Sequence, residues 1–165
     1  MTKSYLRLID HKLLIILILA FIASPILCGV NKYIICLAYS HYLTVYLNNI
    51  FLLFTYQYTY RLNQFTHPLI TRIGHDRFYS RSYFFIVGMG FLYHFIIYIG
   101  YYAFFGPILP EDLILTICFM VINLMIAGIE CSIIYLQLGK KKNFIYLVLP
   151  IFINFVFHFL WIKFF

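Results

Sequence analysis

Charged residues divide this chain into uncharged intervals long enough to cross a lipid bilayer, and no other feature constrains its fold as strongly. A helix rises 1.5 Å per residue and has about 30 Å of hydrocarbon to cross, so a span takes about 20 mostly apolar residues without an unpaired charge. Five stretches meet or approach that requirement: 13–30, 42–58, 83–105, 113–138 and 144–162. Gly106, Pro107 and Pro110 close the third. The expected fold is all-α: a polytopic membrane protein of about five transmembrane helices, with residues 1–165 forming a single transmembrane domain. Residues 33–41 stay open between an extension of the second helix and a shallow re-entrant piece.

Composition closes off the soluble alternative. With 64% hydrophobic and only 10% charged residues, the chain lacks the ionic surface that keeps a domain of this size in solution. The formal charge of +7 would suit nucleic acid, but the basic residues sit between apolar runs, where they orient a membrane protein. No nucleic-acid partner is expected, and the lipid bilayer is the first partner. If the N-terminus is cytoplasmic, ten of the 12 Lys and Arg residues fall inside: Lys3, Arg7, Lys12, Arg61, Arg72, Arg77, Arg81 and Lys140 to Lys142. Lys32 and Lys163 fall outside, and Glu111 and Asp112 occupy the outer turn after the third span. The positive-inside rule therefore places the N-terminus in the cytoplasm.

The chain begins like a signal peptide, with Lys3, Arg7 and Lys12 ahead of an apolar run. Ala20 and Ala23 lie three apart rather than two, and bulky Leu27 precedes Cys28, so the first helix is expected to be retained as an anchor. The cysteines Cys28, Cys36, Cys118 and Cys131 have no C-x-x-C spacing and no histidine pattern for a tetrahedral metal site. There is no H-E-x-x-H, no G-x-S-x-G and no Gly-rich phosphate loop with a lysine. Gly88 and Gly90 lie within an apolar span and read as a packing feature. Neither enzymatic activity nor a cofactor or metal is expected.

Polar residues within the spans mark faces that avoid lipid. Thr116, Asn123, Glu130 and Gln137 follow one another at intervals of seven, which places them along one slowly drifting stripe of a helix. A carboxylate at a helix centre costs about 2.5–3.5 kcal/mol even on the lower scales, so Glu130 needs a partner, a water-filled path or a proton. It is either a substrate- or proton-handling group, or a residue that pairs with a basic loop or a neighbouring helix; the second reading is favoured. His41, Thr44, Asn48 and Thr55 form a similar face in the second span. His94, Tyr98 and Tyr101 do so in the third, and Asn154 and His158 in the fifth. Such groups join helices, and the histidines read as packing or hydrogen-bonding residues. Ala20 with Ser24, and Gly128 with Ser132, supply small residues where backbones could approach closely.

The longest polar stretch, 61–82, contains Thr66-His-Pro-Leu-Ile-Thr-Arg-Ile-Gly-His-Asp-Arg-Phe-Tyr-Ser-Arg-Ser-Tyr83. Pro68 can begin a short helix and Gly74 interrupts it, leaving Arg72, His75, Asp76, Arg77 and Arg81 as a basic surface before the third span. By itself this is an orientation loop touching anionic lipid. The order of basic N-terminal segment, two spans and an Arg-Ile-Gly-x-x-Arg-Phe loop resembles small permease subunits of type 2 ABC exporters from low-GC bacteria. The resemblance covers about the first half of the chain. It implies that Arg72, Gly74 and Arg77 belong to a coupling loop seated on a separate ATPase subunit, and that residues 4–11 form a membrane-surface segment. Members of that family usually have six spans and are longer, whereas five are counted here, with the C-terminus outside.

The leading expectation is therefore a permease subunit that dimerises or pairs with a second permease subunit and is driven through residues 61–82 by an ATPase. A peptide or another amphipathic molecule would suit it as substrate. The rival is a non-transporting membrane protein, such as a bacteriocin immunity factor or an assembly subunit, that binds through the Glu130 face. A proton-coupled carrier would require Glu130 to titrate during transport. Abundant Ile, Phe, Tyr and Asn fit an AT-rich bacterial genome, hence a multi-pass protein of a bacterial plasma membrane.

Overall fold

The computed structural model describes Tyr5, residues 8–27 and residues 42–164. Lys3, Ser4, Arg7, Cys28, Lys32, Cys36, His41 and the open interval 33–41 lie outside the described residues. The described chain is helical, without a strand. α1 spans His11–Leu27, and a π-wound turn, Tyr42–Leu47, runs into α2, Asn48–Gln64. α3 is Thr66–Ile73 and α4 is His75–Phe105. A 3-10 turn, Pro110–Asp112, precedes α5, Leu113–Tyr135, and α6 is Ile145–Phe164.

Local chemistry sets several of these boundaries. Asp10 caps α1, its Oδ1 accepting from the amides of Lys12 (3.0 Å) and Leu13 (3.3 Å), two donors that the helix itself cannot satisfy. Gly74, with φ of +84°, separates α3 from α4, a left-handed conformation that a side chain would oppose. Its amide still closes α3 by donating to Ile70 O at 2.8 Å, and its carbonyl opens α4 by accepting from Phe78 N at 3.1 Å.

The helices run alternately up and down, with α2 at the centre. α2 buries Phe51, Leu52, Phe54, Tyr56, Tyr58 and Leu62 as well as Asn48, Thr55 and Thr59. Its hydroxyls are accommodated within the helix, Thr55 Oγ1 donating to Phe51 O (3.0 Å) and Thr59 Oγ1 to Thr55 O (2.9 Å). Aromatic rings fill the space around it: Phe51 stacks on Tyr93 with centroids 4.1 Å apart, and Tyr58 on Phe85 at 5.4 Å. The outer faces of the other long helices are apolar and exposed, including Ile16, Leu19, Phe84, Leu92, Ile114, Met125, Phe152 and Phe159.

By length and composition, two helices could cross a membrane: α4, and the segment Pro110–Tyr135 that contains α5. α1 and the Ile145–Leu160 part of α6 are apolar but shorter. These two long helices also pack extensively on one another. A Cβ on Gly90 would lie 2.7 Å from Cys131 Sγ and 3.8 Å from Ala127 Cβ, so the missing side chain lets α4 and α5 meet there. The small pair Gly128 and Ser132 does not make this contact; a Cβ on Gly128 would lie 3.6 Å from the Phe91 ring, and Ser132 Oγ donates to Gly128 O at 2.6 Å.

Two sequence expectations change. Within residues 61–82 the expected short helix, interrupted at Gly74, is α3, but the stretch is more helical than a loop: it also holds the last turn of α2 and the first two turns of α4. The chain stays helical because each piece packs on its neighbour while its outer side remains polar. The fourth helical stretch stops at Tyr135 rather than 138, so Gln137 lies in the following turn and not on the helical stripe.

Candidate functional site

Four helices place polar side chains around one small cavity. Asn48 comes from the start of α2, Tyr93, His94 and Tyr98 from α4, Asn123 from α5 and Asn154 from α6. The cavity measures about 40 Å³. At about 15 Å³ per probe-sized water, that is room for about two or three waters and not for a peptide. The π-wound turn sits immediately before Asn48, and such irregular turns occur often where a helix delivers a residue to a site.

The polar groups are largely engaged with one another. Asn123 Nδ2 donates to Tyr98 Oη at 2.9 Å, tying α5 to α4, and Asn154 Nδ2 donates to Asn49 Oδ1 at 3.1 Å, tying α6 to α2. His94 Nδ1 donates to Gly90 O at 3.0 Å, one turn back in its own helix. Asn48 Nδ2 donates to Glu130 Oε2 at 3.4 Å, so the carboxylate of α5 is held from α2. His158, one turn beyond Asn154 on α6, is fully buried. Thus Asn48, His94, Asn123, Glu130 and Asn154 converge, whereas Gln137 belongs elsewhere. Its Nε2 donates to the carbonyls of Lys140 (3.2 Å) and Lys141 (3.0 Å), and its Oε1 accepts from Asn143 N (2.9 Å).

The second feature is a basic end of the bundle. Asp10 is ion-paired with Arg61 of α2, Asn63 Nδ2 donates to Lys140 O at 2.7 Å, and a Cβ on Gly139 would lie 2.8 Å from Tyr79 Oη. These contacts gather the start of α1, the α2–α3–α4 junction and the turn between α5 and α6 at one end. Lys140 and Lys142 lie over the rings of Tyr146, Tyr60 and Phe144 at 4.8–5.1 Å. Glu111 and Asp112 lie beyond the far end of α4.

At that basic end, α3 is amphipathic. Leu69, Ile70 and Ile73 turn inward against the core, and His67, Pro68, Thr71 and Arg72 face outward. His75, Asp76, Arg77 and Arg81 continue the exposed surface along α4, with His75 Nδ1 3.2 Å from Asp76 Oδ1. Gly74 is the turn between the two helices.

Sequence reasoning missed Asp10, Asn49, Asn63 and Tyr93. The Asn48-Asn49 doublet was visible, but not that its two members face different helices. Asp10 was recognisable as an acid directly before an apolar run, the position of an N-cap. Among the described residues no group of three His, Cys, Asp or Glu side chains could hold a metal ion. Comparison of the chain with protein families, with curated proteins and with solved structures gives no match.

Proposed function

We propose that this chain is a multi-pass plasma-membrane protein of five spans, N-terminus cytoplasmic, serving as a membrane-spanning subunit of an ATP-driven exporter. The membrane part rests on the long apolar helices. In their most apolar windows only 28% of α4 and 17% of the Pro110–Tyr135 segment is buried, whereas the core helices of a soluble protein are mostly covered. A soluble monomer rarely exposes so continuous an apolar belt. The stacking of Lys140 and Lys142 on aromatic rings suits the headgroup level of a bilayer.

The exporter reading is carried by α3. It is a short amphipathic helix lying on the bundle end between α2 and α4, and its outward face continues into Arg72, His75, Asp76, Arg77 and Arg81. A surface of that kind suits a soluble, movement-delivering partner, in this proposal a separate ATPase. α4 leads directly from it into the bundle. The 40 Å³ polar cavity is itself too small for a peptide, and in this proposal the path is shared with a second copy or another permease subunit.

Purification from native membranes in mild detergent tests the reading. ATP-hydrolysing activity is expected to co-purify, and the double substitution Arg72→Glu with Arg77→Glu to remove it without altering the thermal midpoint. Repeated recovery of the intact chain without ATPase activity would overturn the proposal.

One observation favours the rival, a non-transporting immunity or assembly subunit: the polar side chains around the cavity are spent mainly on one another. In that case Arg72 and Arg77 tolerate charge reversal, and function is lost instead on changing Asn123 or Glu130.

A further inference from the structure

The chain has five acidic residues, and four of them reach solvent or an arginine. Asp10 is ion-paired with Arg61, Asp76 and Glu111 are exposed, and Asp112 is half-buried in the turn before α5. Glu130 is different, being 1% exposed in the middle of the bundle. The ion pairs among the described residues are Asp10–Arg61 and His75–Asp76, and neither involves it.

Glu130 and Asn48 are joined by one hydrogen bond, Asn48 Nδ2 donating to Glu130 Oε2 at 3.4 Å. The remaining oxygen of each side chain, Glu130 Oε1 and Asn48 Oδ1, is buried without a hydrogen-bond partner. Both are acceptors if Glu130 is ionised, and two acceptors left over in a low-dielectric interior are a heavy penalty. They are also what remains when one proton is taken from a reciprocal acid–amide pair. With a hydrogen on Oε1, the acid donates to Asn48 Oδ1 while Asn48 Nδ2 donates to Oε2, and one proton satisfies both atoms.

The geometry points to a proton-binding site made by Glu130 and Asn48: a neutral carboxylic acid closed into a two-bond ring with the carboxamide, locking α5 to α2. The proton comes from water, and the small cavity that Asn48 borders provides water-sized space beside the pair. The other buried titratable groups on the elements packed around Glu130 are Tyr93, Tyr98 and Tyr101 on α4, with half-buried His94 among them, Tyr56 and Tyr58 on α2, Cys131 beside it on α5, and His158 on α6. Tyr93 Oη is buried without a partner and stands ready to bond to a water there. The site requires no ATPase and stands whether or not the exporter reading does.

Infrared spectroscopy of the purified protein at neutral pH tests this directly, because Glu130 is the one acid of the five that is wholly buried. The expected result is the carbonyl stretch of a protonated carboxyl group, lost in Glu130→Gln, whose amide can close the same ring and so keeps the wild-type thermal midpoint. In Asn48→Ala the band should move to higher frequency, since the carbonyl loses its donor, and the midpoint should fall. If either variant fails to fold, the wild-type spectrum decides. A spectrum with ionised carboxylate bands only would overturn the proposal, as would a protonated-carboxyl band that survives in Glu130→Gln. A midpoint that rises with sodium chloride but not with choline chloride would overturn it in favour of a metal cation in the same place.

Discussion

Asp10 and Arg61 link the first turn of α1 to the last turn of α2 through a carboxylate that does two tasks: Oδ1 caps α1, and Oδ2 accepts from the Arg61 guanidinium. The pair is partly open to solvent, with the Arg61 side chain 39% exposed, so its Coulomb part is worth at most about 1 kcal/mol. Asp10→Asn keeps a capping oxygen and should lose only that part. Asp10→Ala loses the cap as well, about 1–2 kcal/mol in all. Thermal denaturation of the two variants should rank wild type, Asn, then Ala, with the first gap shrinking in high salt.

Neighbouring glycines on α4 should respond in opposite directions. Gly90→Ala places a methyl group 2.7 Å from Cys131 Sγ and should cost about 1–3 kcal/mol by forcing α4 from α5. Gly88 has nothing within 4 Å of an added Cβ, so Gly88→Ala should be neutral or gain up to about 1 kcal/mol from helix propensity. Unfolding in mild detergent with increasing denaturant would measure both. A destabilised Gly88→Ala would mean that something else covers that surface.

Gln137 organises the turn between α5 and α6 with three hydrogen bonds while fully buried. Gln137→Ala leaves the Asn143 amide and two carbonyls to find other partners, at about 2–4 kcal/mol. Gln137→Glu is expected to lose a similar amount, because it removes both donors and keeps only the acceptor. Proteolysis within residues 139–144 should accelerate in both variants, and unchanged cleavage would count against this role.

For the sidedness of the bundle, single cysteines at Lys141 and Glu111 in a cysteine-free background should label from opposite faces of sealed vesicles. Labelling of both from the same face would remove the alternating five-span arrangement. Neither position makes a side-chain contact that the substitution would break in a buried environment, since both residues are exposed.

The apolar runs made a helical chain legible, because long uncharged intervals admit few other solutions in a bilayer and the turn residues Gly106, Pro107 and Pro110 close the third one. Within residues 61–82 the short helix and its break were readable from Pro68 and Gly74, but not that α2 and α4 extend into the stretch, because their ends there are polar on the free side. The stripe of Thr116, Asn123, Glu130 and Gln137 was readable as one face, but seven-residue spacing continues on paper past Tyr135, where the helix stops. Which polar face meets which was not readable. Asn48 and Glu130 lie 82 residues apart, and nothing local in either segment encodes the other.

α4 has one further mechanical consequence. Gly90, where it presses on α5, stands at its midpoint, with fifteen residues on either side, so a rigid tilt about that point would have two arms of about 22 Å. A tilt of about 5° around that fulcrum would swing Arg77 and Tyr102 by about 1.5–2 Å in opposite directions, while Tyr93 and His94, close to the pivot, would move by about 0.5 Å or less. Under such a tilt a push on the basic end would reappear, reversed in direction, at the far rim, while the polar groups near the centre would stay almost still.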